Sequence, residues 1–302
     1  MRIVVALGGN ALLRRGEPLE AAQQQQNVAA AVEAIEPIAR EHEVIVTHGN
    51  GPQIGLLALQ SDAYTGVSPY PLDVLGAESE GMIGYIMEQE FQNRLPERDV
   101  ATLLTQVEVY PDDPAFQNPE KFIGPVYEKA EAERLATARG WTVAPDGDKW
   151  RRVVPSPEPR RILEIKTIRL LMDNHVLVIC SGGGGIPVVM NEGGGTHGIE
   201  GVIDKDKAAA LLTRQLGADG LIMLTDVDAV YTGWGTDEQA PIRHVTPAKL
   251  REHDFASGSM GPKVEAACRV VEGGGNFAAI GRLRDAADIL AGRTGTIVGH
   301  GN

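Results

Sequence analysis

Ile3-Val4-Val5-Ala6-Leu7-Gly8-Gly9-Asn10-Ala11-Leu12 is an apolar run that stops on two glycines and an asparagine. A strand with one wet face alternates apolar and polar residues. A strand covered on both faces is apolar at every position, as Ile3 to Leu7 is. Five further segments share the pattern: Val44 to Thr47, Val100 to Leu104, Val176 to Cys180, Leu221 to Thr225 and Phe277 to Ile280. Helical spacing fills the gaps. Val28, Val32, Ile35 and Ala39 share one face, as do Leu75, Met82, Ile83 and Ile86. After Pro262, which suits a first helical turn, so do Val264, Ala267, Cys268 and Val271. Strands alternating with helices predict an α/β layout around a mainly parallel sheet.

The 302 residues suffice for one large domain or two smaller ones. No apolar run approaches the roughly 18 residues of a membrane span. The first apolar stretch is too short for a signal peptide and reads as a buried strand, so a cytoplasmic location is expected. Cys180 and Cys268 stand far apart and form no ligand pattern, which predicts two buried thiols in a reducing compartment. A net charge of −13 argues against a nucleic-acid partner. An acidic chain that binds phosphate must concentrate positive charge locally. The 28 basic residues include only eight lysines.

From Asn118 to Pro159 the alternation breaks. The segment is rich in Pro, Gly, Arg and Glu, with a short helix expected near Glu128 to Arg139. Trp141 and Trp150 flank Pro145-Asp146-Gly147-Asp148, and Pro155, Pro157 and Pro159 space out the exit. This reads as an insertion standing off the main sheet.

The motifs cluster at strand ends. Gly8-Gly9-Asn10 follows the first strand and His48-Gly49-Asn50-Gly51-Pro52-Gln53 the second. Glycine there lets backbone N–H groups approach an anion, and open α/β sheets bind ligands at that edge. His48 reads either as a base or as a structural hydrogen-bonding group. Ser181-Gly182-Gly183-Gly184-Gly185-Ile186-Pro187 is no dinucleotide fingerprint, because proline takes the last required glycine position, and no G-x-x-x-x-G-K-S/T loop exists. Val202-Ile203-Asp204-Lys205-Asp206 opens a helix, either as a solvated cap or as a lysine steadied by a carboxylate and aimed at phosphate. Leu224-Thr225-Asp226-Val227-Asp228-Ala229-Val230-Tyr231 ends a strand in an acidic turn suited to ribose or adenine. In Gly258-Ser259-Met260-Gly261-Pro262-Lys263, Lys263 opposes the helix dipole, which points to an anionic ligand.

Taken in order, these motifs resemble the amino-acid-kinase family. Pro119 to Tyr127 and Trp150 to Pro157 are similar to the protruding subdomain of the branch whose acceptor is carbamate. The likeness spans nearly the whole chain. It implies one three-layer αβα domain over residues 1–302, with the subdomain inserted at 118–159, and a homodimer. Residues up to about 200 would hold carbamate or carbamoyl phosphate, and those from about 201 onward ATP or ADP. Catalytic residues implied are Lys121, Lys205 and Lys263, oriented by Asp206. Gly8, Gly9, Asn10, Gly49, Asn50 and Gly51 would line the acceptor pocket. Thr225, Asp226, Asp228, Tyr231, Met260, Gly261 and Lys263 would take the nucleotide. Glu120-Lys121-Phe122 stands where the family pattern has Thr-Lys-Pro.

The activity implied is reversible phosphoryl transfer between ATP and carbamate. Its tasks are positioning and charge neutralisation. Carbamoyl phosphate is a high-energy donor, so ATP synthesis is the chemically favoured direction. Mg²⁺ would arrive with the nucleotide, with no metal site built by the protein. Lys121 would reach the phosphoryl group through closure of the insertion as a lid. The alternatives are an acetylglutamate-type acid kinase, which the insertion argues against, and a non-catalytic nucleotide or anion sensor, which need not keep three lysines.

Overall fold

The structure, a computed structural model, describes residues 1–13, 16–256 and 258–301; the side chain of Asn10 lies outside the described residues. The main sheet contains β1 (Arg2–Leu7), β2 (Glu43–His48), β3 (Val100–Thr102), β4 (Leu177–Ile179), β5 (Gly220–Thr225), β6 (His244–Val245), β7 (Phe277–Arg282) and β8 (Thr296–Gly299). Their order is β6-β8-β7-β5-β1-β2-β4-β3. Every pairing is parallel except that of β7 with β8.

The apolar runs are explained by helices on both faces. Ile3, Val5 and Leu7 face a core shared with α1 (Ala21–Glu41) and α3 (Leu72–Arg94). Val4 and Ala6 face the opposite core, shared with α4 (Lys205–Leu216) and α5 (Met260–Glu272). Those are the three layers the sequence predicts. β3 stops at Thr102, short of the expected Leu104, whose side chain is exposed. Both cysteines are buried and unpaired.

The insertion forms its own antiparallel sheet, with Lys149–Val154 between Lys121–Tyr127 and Thr142–Asp146, and carries the helix Lys129–Arg139. Trp141 lies between the Arg139 and Arg152 guanidinium groups, 4.8 and 4.7 Å from its ring. The insertion rests on α2 (Gly51–Ala63) at one close contact: a Cβ on Gly55 would lie 2.2 Å from Gly124 Cα. Gly124 itself has a φ of +70°, which only glycine adopts readily. Ile54, Leu72, Leu75, Ile123 and Val154 seal the contact.

Candidate active site

Parallel strands deliver their carboxyl ends to one edge, where the turns after β1, β2 and β5 meet. Gly8 donates its N–H to the Leu224 carbonyl and Gly49 to that of Leu7. A Cβ on Gly49 would come within 3.0 Å of the Gly9 nitrogen, so two backbones pass where no larger residue fits. The turn after β4 completes this wall. Gly183, at φ +64°, packs under Asn50, whose amide would be 2.1 Å from an added Cβ. Asn50 Nδ2 then donates to Ser79 Oγ at 2.8 Å. These turns border a cleft of about 800 Å³, roofed on the insertion side by Lys121, Phe122 and Ile123.

Positive charge enters from two walls. Asp204 caps α4, its Oδ1 accepting from the Asp206 N–H. The first turn of α4 then carries Lys205 and Asp206, and that of α5 carries Lys263. Lys205 Nζ donates to Asp206 Oδ1 at 2.5 Å and Lys263 Nζ to Oδ2 at 2.7 Å. From the insertion, Lys121 Nζ donates to Asp204 Oδ2 at 2.6 Å. Burial works to raise the Asp206 carboxyl, and the two lysines outweigh it, leaving Asp206 well below the ordinary carboxylate range. Burial lowers Lys205 more than Asp206 raises it, with Lys263 adding like-charge repulsion. A phosphoryl anion here would relieve both costs.

Behind the glycine turns, His48 and Glu80 pack against Gly182. Burial pushes His48 down to about 4, and its Nδ1 faces the Gly49 carbonyl at 3.1 Å. Burial holds the Glu80 carboxyl well above its ordinary value, and its Oε2 accepts from the Thr105 N–H at 2.9 Å. Among the described residues, no three His, Cys, Asp or Glu side chains gather to hold a metal ion.

Most residues singled out from sequence meet in this cleft: Gly8, Gly9, Gly49, Asn50, Gly51, Lys121, Lys205, Asp206, Thr225, Asp226, Tyr231, Met260 and Lys263. Asp228 and Gly261 do not line the cleft. The Asp228 carboxylate is taken up beside it, accepting from Tyr231 Oη at 2.8 Å and facing Arg243 at 3.4 Å. Gly261 packs against Ala256 as α5 begins. Trp234 and Phe255 were not singled out, and Asp204 only as part of a helix start, yet all three line the cleft. Trp234, set between Gly233 and Gly235 and edge-on to Tyr231, carried a readable signal. Lys121 already reaches the cluster in this structure, so no closure of the insertion is needed to bring it there.

A second hollow, of about 770 Å³, lies at the amino ends of the strands around Arg2, Glu43 and Asp219. Its charges are satisfied locally, Arg2 pairing with Glu43 and Asp173 at 3.0 and 2.9 Å, and its one lining glycine, Gly217, is the left-handed cap that ends α4. Ligand chemistry belongs at the carboxyl edge.

The amino acid kinase family model matches residues 1–280. The chain belongs to the amino acid kinase family. Its relatives include a carbamate kinase of Rhizobium meliloti, 56% identical over 99% of this chain and 93% of the relative. A carbamate kinase of Haemophilus influenzae is 56% identical over 98% of this chain and 96% of its own. Among solved structures, a carbamate kinase from Giardia lamblia bound to AMP-PNP has a TM-score of 0.91 at 39% identity, covering 99% of this chain and 98% of that one. An N-acetylglutamate synthase from Neisseria gonorrhoeae, 14% identical with a TM-score of 0.59, shares the fold alone.

Proposed function

We propose that this protein is a carbamate kinase, transferring a phosphoryl group reversibly between ATP and carbamate. One observation carries the reading: three lysines from three separate elements converge, through Asp204 and Asp206, on a cleft walled by Gly8-Gly9 and Gly49-Asn50-Gly51.

In the ATP-forming direction an ADP β-phosphate oxygen attacks the phosphorus of carbamoyl phosphate. The P–O bond to the carbamoyl group breaks and carbamate departs as an anion. No proton must move, which suits a site whose one histidine is neutral and turned to a backbone carbonyl. Lys121, Lys205 and Lys263 neutralise charge on the phosphoryl oxygens, each such donor contributing about 3–4 kcal/mol in the transition state. Asp206 fixes the directions of Lys205 and Lys263. The N–H groups at Gly9 and Gly51 take the acceptor end, while that of Gly8 holds the turn against the Leu224 carbonyl. Thr225, Asp226 and Tyr231, with Trp234 and Met260, take the nucleotide. Mg²⁺ carried by the nucleotide would neutralise charge on its phosphates, and in the ligand-free cleft Asp204 and Asp206 are both paired with lysines.

The deciding experiment is a coupled assay of ATP formed from ADP with carbamoyl phosphate, and with acetyl phosphate as control. Brisk phosphorylation of acetylglutamate without carbamoyl phosphate activity would transfer the assignment to another acid kinase. We read the active form as a homodimer. The α2–α3 connection and the outer face of α3 present Tyr64, Val67, Tyr70, Val74 and Tyr85 to solvent, an apolar surface of the kind that marks an interface. Sedimentation of Tyr85→Glu tests it: a monomeric variant supports the reading, and a monomeric wild type ends it. No helix among the described residues is long and apolar enough to cross a membrane. The unpaired cysteines suit a cytoplasmic setting.

A further inference from the structure

Asp204 divides its carboxylate between two duties. Oδ1 accepts from the backbone N–H groups of Asp206 and Lys207, at 2.9 and 3.3 Å, closing the first turn of α4. Oδ2 accepts from Lys121 Nζ, on a strand 83 positions earlier in the chain. We propose that Asp204 is a positioning residue for Lys121: it holds the ammonium over the empty cleft and hands it to the phosphoryl group when one arrives. This rests on the reading of Lys121 as a charge for the transferring group.

Two features make the exchange inexpensive. When Lys121 leaves, the Oδ1 bonds remain, so the carboxylate keeps two N–H donors and the positive end of a helix. Lys121 is also 34% exposed, so the ammonium meets water as it leaves Oδ2. Asp206 shares the helix end but lacks the backbone donors and the exposed partner. Both its oxygens are occupied by lysines only 11% and 15% exposed, and giving one up would strand buried charge. The two aspartates, two positions apart, are therefore built for different work: Asp206 to fix and Asp204 to release.

Asparagine caps helices as well as aspartate does, so Asp204→Asn keeps the first turn of α4 and removes only the charged hold on Lys121. Asp204→Ser, which caps but is too short to reach Lys121, is the second variant. In the ligand-free protein, hydrogen exchange over Lys121–Tyr127 should rise in both variants and in Lys121→Ala, with Gly220–Thr225 unchanged. The KM for carbamoyl phosphate should rise about tenfold in Asp204→Asn and in Lys121→Ala, the size of a coupling between contacting groups. The double variant should be no worse than Lys121→Ala, and the KM for ADP should not move. Unchanged exchange in the Asp204 variants, or single effects that multiply in the double variant, overturns the inference. Exchange needs no turnover. A wild type that makes no ATP from carbamoyl phosphate would therefore end the functional reading and leave the Asp204 test intact.

Discussion

The Lys205–Asp206–Lys263 cluster and the Lys121–Asp204 pair face one cleft from opposite walls, and they are held in opposite ways. The first is locked between two helix starts whose bodies pack on the main sheet. The second joins a projecting subdomain to a helix cap at the rim. In the mechanism we propose, the same residue types supply a fixed charge on the nucleotide side and an adjustable one on the acceptor side. A reaction in which a phosphoryl group passes between two sites needs both, a stationary frame and a contact that can follow the group.

The largest effect should come from breaking the fixed half. Asp206→Asn removes the carboxylate that two nearly buried lysines share and should cost about 3–5 kcal/mol in urea unfolding, together with nearly all turnover. Because the Asp206 pKa is depressed on folding, its stabilisation is present above the ordinary value near 3.8 and is lost as pH falls through the lower folded value. The acid limb of the wild-type stability curve should therefore flatten in Asp206→Asn; an unaltered limb would show that the pair does not behave as drawn. Next is Lys263→Ala, expected to lower kcat about 10²- to 10³-fold, the loss typical of one transition-state donor. Wild-type turnover in this variant would remove Lys263 from the mechanism.

The adjustable half should yield smaller numbers. Gly55→Ala places a methyl group against the Gly124 backbone, so the insertion must shift and carry Lys121 with it. A raised KM for carbamoyl phosphate with an unchanged ADP affinity is expected, and a coincident rise in both would mean that the disturbance is not confined to the acceptor side. Lys121→Ala should change the melting temperature least of all, since a rim pair contributes about 1 kcal/mol or less. Its signature is kinetic, in the acceptor KM. Hydrogen exchange of the insertion with both ligands present, compared with neither, then measures how far the arm moves beyond its docked position.

How legible each half was in the sequence follows the same division. The core strands announce themselves because burial on both faces forces apolar residues at every position, as in Ile3 to Leu7 and Leu221 to Thr225. Lys205, Asp206 and Lys263 stand at helix starts where their charges are conspicuous. The insertion hides its strands, because Lys149-Trp150-Arg151-Arg152 packs aromatic and cationic groups against each other and shows no apolar alternation. Asp204 was legible as a cap but not as the partner of Lys121, since nothing local encodes a contact 83 positions away. The acidic turn does not show from sequence which of its carboxylates faces the cleft. Asp226 lines the cleft, whereas Asp228 turns to Tyr231 and Arg243.

The two buried cysteines have a practical consequence. Burial drives the Cys180 thiol far up and Cys268 to about 11, so at neutral pH neither offers a thiolate to an alkylating reagent. The folded chain is therefore a blank background for site-specific labelling. Trp234→Cys, at an exposed position lining the cleft, would be the one thiol open to a maleimide dye.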